Sequence, residues 1–164
     1  MTTTQTGIGI DVHKFTDEGK LILGGLIIDC EFGILAHSDG DVLTHAIIDS
    51  LLGACTLGDI GIYFPSSSPK YKNISSLKLL RTTLCLINKE KWVIKHIDAT
   101  IIAEKPRLME YIPKIKDSLI EVLRINSDQI NIKATTTDGL GYIGQGLGIS
   151  CHAIATVERK NEDL

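Results

Sequence analysis

The sequence predicts an α+β fold in one domain over residues 1–164, built on a four-stranded sheet with helices packed on one face. Three observations predict it: four segments alternate apolar and polar residues, three others place apolar residues at helical spacing, and the two kinds interleave. At 164 residues, 43% apolar and 23% charged, the chain can bury a core and has the balance of a folded domain. It contains no repeat, low-complexity stretch or linker.

Gly7 to Phe15 alternates and reads as the first strand. Leu21 to Ile28 reads as two short strands about the Gly24-Gly25 turn. Asp41 is an N-cap for a helix running to about Ala54, with Val42, Leu43, Ala46, Ile47 and Leu51 apolar. Tyr63 to Pro69 holds two prolines and three serines and reads as a loop. Ser75 or Ser76 can cap a second helix extending to about Asn88. Val93 to Ala103 reads as a strand, Tyr111 to Leu123 as a third helix, and Gln129–Thr136 and Ile149–Val157 as the last strands. Gly139 to Gly148 resembles a dinucleotide loop in composition. Such a loop must follow a strand and open a helix. Here Ile149 to Ala155 reads as strand, so a glycine-rich turn is expected.

A net charge of −3 without a basic stripe argues against nucleic acid. The start, Met1 to Gly7, lacks the pattern of a secretory signal, and no apolar run approaches the ~20 residues of a membrane helix. Cys30, Cys55, Cys85 and Cys151 have apolar neighbours and no Cys-x-x-Cys spacing, so reduced core thiols and a cytoplasmic location are expected.

Asp11 and His13 stand two apart on the first strand, so both side chains leave the same face. A carboxylate and an imidazole together suit Zn²⁺, and a third ligand is then required. Asp41, His45 and Asp49 follow at i, i+4 and i+8 on the first helix, a polar row on an otherwise apolar element. Unpaired burial of such groups is costly. His45 as the third ligand, with Asp49 left for substrate hydroxyls, is one solution; an exposed histidine and a chance Asp-x-His fit the same spacing. Ala36 to Asp41, with His37, Ser38 and Asp39, is either turn and cap chemistry or a polar lip above a metal, with Ser38 donating to a phosphate.

Gly9–His13, Ala36–Asp41, Leu57–Gly61, Phe64-Pro65, Ile101–Pro106 and Lys133–Thr137 together resemble the 2-C-methyl-D-erythritol 2,4-cyclodiphosphate synthase family. The likeness runs from Gly7 to about Val157, with the motifs in the family's order and spacing. It implies zinc on Asp11, His13 and His45, and a second ion, Mg²⁺ or Mn²⁺, at Asp138. It also implies a mixed sheet in a homotrimer with active sites between subunits. His37, Ser38, Asp49, Asp59, Ile60 and Gly61 would meet the methylerythritol phosphate, with Lys72 offered as a screen for its 2-phosphate. Ala103, Glu104, Lys105, Pro106 and Arg107 would hold the cytosine. Ala134, Thr135, Thr136, Tyr142 and Gln145 would serve the nucleotide's phosphates, and His37 and Thr136 would stabilise the transition state.

The implied reaction expels CMP from 4-diphosphocytidyl-2-C-methyl-D-erythritol 2-phosphate, in the non-mevalonate route to isoprenoid precursors. The attacking phosphate monoester, with a second pKa of roughly 6, is already anionic, so no general base is required. Two other readings keep the same pocket: a metal-dependent phosphohydrolase and a non-catalytic nucleotide-binding trimer. No fused nucleotidyltransferase domain is expected. Asp138 stands where the family usually has Glu, Gln145 for a frequent Arg, and Leu147 for a frequent Glu. Ser66 replaces an acidic residue and Ile10 a Phe. Loss of the Arg makes an isoprenoid diphosphate in the trimer's central cavity doubtful.

Overall fold

A computed structural model describes residues 1–160. Its elements are β1 (Thr2–Thr16), β2 (Leu21–Leu23), β3 (Leu26–Ile28), β4 (Gly33–Ile34) and α1 (Val42–Ala54), then α2 (Ile60–Tyr63) and α3 (Ser76–Lys89). β5 (Val93–Ile102), α4 (Ile112–Leu123), β6 (Ile130–Thr135), the short α5 (Gly141–Gly144) and β7 (Gly148–Lys160) complete the order.

The main sheet is mixed and runs β4-β1-β7-β5-β6; only the β5–β6 pair is parallel. It therefore has five strands, not the expected four. The additional one is β4, whose two residues pair with Phe15 and Thr16. Two residues carry no alternation, so a periodicity search passes over them. β2 and β3 form a separate hairpin about Gly24 and Gly25, both at positive φ, a conformation glycine adopts without strain. β1 and β7 pair from Thr2↔Lys160 to Lys14↔Gly148, well beyond the expected ends at Gly7 and Val157. The run Thr2, Thr3, Thr4, Gln5, Thr6 is polar at both phases and shows no period, although threonine favours strands.

One sheet face is buried. Ile149, Cys151, Ala153, Ala155 and Val157 of β7 are inaccessible, as are Ile97, Ala99 and Ile101 of β5. α1 lies on β1 and β7, and α3 packs between α1 and α4. α1 is buried nearly all round, with Leu43, Ala46, Ile47, Leu51 and Leu52 fully enclosed. It is the centre of the core.

Bare backbone makes this packing possible. A Cβ added to Gly7 would lie 2.3 Å from the Ala54 nitrogen and the Ser50 oxygen. Gly7 and Gly9 thus let α1 settle directly on β1, which carries Asp11 and His13 on the same face.

The cysteines are all free, but only Cys55 and Cys151 are core thiols; Cys30 is half-buried and Cys85 exposed. Leu84 and Leu86 give Cys85 an apolar context in sequence, yet on a helix it shares its face with Arg81 and Asn88, both exposed. No helix among the described residues is long and apolar enough to cross a membrane.

Candidate metal centre and flanking cavities

Asp11 and His13, two apart near the end of β1, turn toward α1, where His45 sits one turn into the helix. Asp11 Oδ2 lies 3.0 Å from His45 Nδ1 and 3.0 Å from His13 Nε2. One ligand atom from each of the three falls within 4.8 Å of the others. His13 Nε2 is buried and, despite its nearness to Asp11, makes no aligned hydrogen bond. A buried ring nitrogen beside a carboxylate and a second imidazole is a donor set that a divalent cation satisfies. Burial pushes the Asp11 carboxyl up, but the two imidazoles beside it outweigh that and hold it well below the usual carboxylate range. Burial lowers His45, whereas Asp11, Asp41 and Asp39 raise it further, so its net shift is upward.

The polar row on α1 divides. Asp41 is fully buried and caps the helix, accepting from Thr44 N at 3.0 Å, Thr44 Oγ1 at 2.7 Å and Gly25 N at 2.8 Å. It ties the β2–β3 turn to α1 and is not among the three grouped ligands. Asp49 is half-buried and accepts from Ile60 N at 2.7 Å, so one of its oxygens positions α2. Burial, with Asp59 nearby, pushes the Asp49 carboxyl up.

A cavity of about 370 Å³ opens beside the cluster, lined by His13, His37, Ser38, His45, Ile60, Gly61 and others. His37 Nε2 lies 3.1 Å from the Ser68 carbonyl, so the Ser-rich loop forms the far wall. Asp59 caps α2, accepting from Ile62 N at 3.2 Å.

A second cavity, of about 500 Å³, lies where β5 and β6 end. Ala103, Glu104, Pro106, Arg107, Ala134, Thr135 and Thr136 line it, joined by Leu108, Met109, Ile112 and Pro113. The two cavities share no lining residue.

Residues 4–158 match the YgbB family. The chain belongs to that family. A relative named 2-C-methyl-D-erythritol 2,4-cyclodiphosphate synthase, from Clostridium acetobutylicum, is 57% identical over 150 residues, covering 92% of this chain and 97% of its own. The solved IspF of Plasmodium falciparum, a CDP complex, is 35% identical with a TM-score of 0.84, over 96% of this chain and 97% of that one. The bifunctional IspDF of Campylobacter jejuni superposes with a TM-score of 0.94 at 34% identity over 98% of this chain, which spans 44% of that longer protein.

In this YgbB chain the remaining residues singled out from sequence lie around the second cavity or away from both. Glu104 reaches back to the loop after β6: Oε1 accepts from Thr137 N at 2.8 Å, Thr137 Oγ1 at 2.9 Å and Gly139 N at 3.3 Å. These bonds, the Thr137 amide's foremost, lower the Glu104 carboxyl's pKa. Asp138 follows at positive φ and accepts from Thr136 Oγ1 at 3.2 Å. Lys105, Lys72, Asp138, Tyr142 and Gln145 line neither cavity.

Sequence reasoning reads Ser75 or Ser76 only as a helix cap and misses the contact of Ser76 with His45 and the role of Asp39. Ser75 occupies the cap position of α3 but makes no capping bond; Asp39 Oδ2 accepts from Ser76 N at 2.7 Å instead. The cap comes from a loop 37 residues earlier in the chain, beyond any local signal. Leu108, Met109, Ile112 and Pro113 are not read as site residues from sequence: the first two precede the helix expected from Tyr111 and the others belong to it, and none carries a polar side chain.

Proposed function

We propose that this chain is a lyase that converts 4-diphosphocytidyl-2-C-methyl-D-erythritol 2-phosphate to 2-C-methyl-D-erythritol 2,4-cyclodiphosphate with release of CMP. The observation that carries the reading is the convergence of Asp11, His13 and His45 beside a cavity lined by His37 and Ser38, in a chain of the YgbB family. A 2-phosphate oxygen attacks the β-phosphorus, and the bond from that phosphorus to the oxygen bridging toward CMP breaks. CMP leaves with that oxygen, and the ring closes.

Zinc on Asp11, His13 and His45 would supply Lewis-acid neutralisation of the substrate's charge at the diphosphate. Asp138 offers one carboxylate to a second ion, Mg²⁺ or Mn²⁺. Such ions are commonly held by one or two carboxylates plus substrate phosphates. The chain's own residues do the positioning. His37 and Ser38 orient the phosphate-bearing end, and Ile60 and Gly61 form its wall. Asp49 presents a carboxylate oxygen to erythritol hydroxyls. The cavity from Ala103 to Arg107 receives cytosine, with Ala134, Thr135 and Thr136 beside the nucleotide's phosphates. Thr136 and His37 stabilise charge as the β-phosphorus is displaced. Holding both ends of one molecule supplies the orientation term, which reaches several kcal/mol in well-placed intramolecular reactions (roughly 7–11 at the limit).

Assembly as a homotrimer accounts for two features. The sheet face away from the helices exposes Ile8 at 62%, Ile10 at 51%, Val12 at 46% and Ile154 at 46%, an apolar surface that asks for cover. The two cavities are separate within one chain, and a neighbouring copy can bring one against the other. A cytoplasmic location goes with this reading.

Incubation with the substrate, Zn²⁺ and Mg²⁺, followed by mass analysis, tests it. Equal amounts of CMP and cyclic diphosphate are expected. CMP with a linear product would mark a phosphohydrolase instead. Nucleotide binding without CMP release would mark a non-catalytic trimer.

A further inference from the structure

We infer that Asp39 and Ser76 select the tautomer of His45, making the pair positioning residues for the metal centre. The inference rests on the proposed cation site and names a function for two residues outside it. His45 Nε2 lies 2.8 Å from Ser76 Oγ, while Nδ1 faces Asp11. Ser76 is fully buried. Its hydroxyl donates to Asp39 Oδ1, and its amide donates to Asp39 Oδ2 at 2.7 Å. Asp39 is itself placed by its backbone, whose amide donates to the Ile74 carbonyl at 3.2 Å.

Proton counting sets the direction of this chain of bonds. A hydroxyl has one proton and a carboxylate has none. Asp39 therefore takes the Ser76 proton, and the Ser76 oxygen can only accept from His45. Nε2 must then carry hydrogen, and with a cation held between them Nδ1 is the nitrogen left with a lone pair on the side of Asp11 and His13. Ser38 Oγ, 3.3 Å from Nε2, is a second acceptor for the same N–H. A ring nitrogen that donates to a fixed acceptor holds the opposite nitrogen on its ligand direction. Here a serine stands between the carboxylate and the histidine.

The test uses Ser76→Ala and Asp39→Asn in the full chain. Ser76→Ala removes the nearer acceptor, leaving only Ser38 at 3.3 Å, yet keeps the amide that Asp39 caps, and Asp39→Asn lets the amide group donate and so reverses the order of protons. Zn²⁺ affinity is measured by chelator competition, and long-range proton–nitrogen NMR on the zinc-loaded protein reads which His45 nitrogen carries hydrogen. Outer partners of this kind typically change metal affinity by about 10–100-fold. A loss in that range is expected for both variants, with thermal unfolding of the metal-free proteins little changed and a sharp Nε2–H signal only in the unsubstituted chain. Nδ1–H in the unsubstituted zinc form, or affinities within twofold of it in both variants, would overturn the inference while leaving the cation site standing. An unsubstituted chain that takes up no zinc would overturn the site and this inference together.

Discussion

A Cβ on Gly9 would stand 2.0 Å from the carbonyl oxygen of Ala46, so α1 rests on the bare backbone of β1 at the residue after His45. The obstacle is main chain on both sides and cannot rotate away. Gly9→Ala must push the helix outward, and His45 with it. A stability loss of about 1–3 kcal/mol or more is expected from overpacking, together with weaker zinc binding. Urea denaturation and chelator competition check the pair. Unchanged stability would mean that the two elements can separate without cost.

The cluster itself gives the second expectation. Asp11 Oδ2 lies 3.0 Å from both imidazoles. Asp11→Asn keeps the shape but removes the charge that holds the cation. Bound zinc is expected to fall well below one per chain, and CMP release by at least about 100-fold, which is about 2.7 kcal/mol of barrier. Metal analysis of the purified variant, followed by a mass-resolved assay, decides it.

Much of this centre was legible in the sequence because its spacing is local. Asp11 and His13 share a strand face by period two, and His45 sits on a helix whose apolar faces are plain. The third dimension was not legible. Nothing in the sequence tells that Asp39 caps α3 or that Ser76 meets His45, since these contacts join segments more than thirty residues apart. Glu104 shows the same limit. Its backbone is read as a cytosine contact, but the sequence does not tell that its side chain spends Oε1 on Thr137 and Gly139, holding in place the loop that carries Asp138. The four long strands were visible by alternation, whereas the two-residue β4 was not.

Asp49 is expected to cost stability for the sake of function. Burial and neighbouring Asp59 push its carboxyl up, against the opposing Ile60 amide. A carboxyl raised on folding contributes stability that is full below its unfolded value of about 3.9. That contribution is lost as pH rises through the folded value. The carboxamide introduced by Asp49→Asn does not titrate and still offers an acceptor to Ile60 N. The variant should therefore gain on the unsubstituted chain as pH rises from about 4 and level off once the carboxyl is ionised. Partial exposure keeps the gain at neutral pH small. CMP release should meanwhile fall roughly tenfold or more, since an amide replaces the oxygen offered to the substrate hydroxyls. Denaturation curves at several pH values and a turnover assay separate the two effects; a variant less stable at neutral pH than in acid, relative to the unsubstituted chain, would refute the assignment.

Separation of the cavities within one chain makes the nucleotide side independently testable. Ala134 lines the cavity with Ala103 and Ile112, and its side chain is small and exposed there. In Ala134→Phe the ring would fill part of the cavity assigned to the nucleotide without approaching His13 or His45, which line only the other cavity. Binding of CMP, followed by calorimetry, is expected to weaken at least about tenfold, or 1.4 kcal/mol. Zinc content should be unchanged, because no ligand moves. Zinc lost together with nucleotide would show that the two cavities are coupled through the sheet, and unaltered CMP affinity would place the nucleotide outside this cavity.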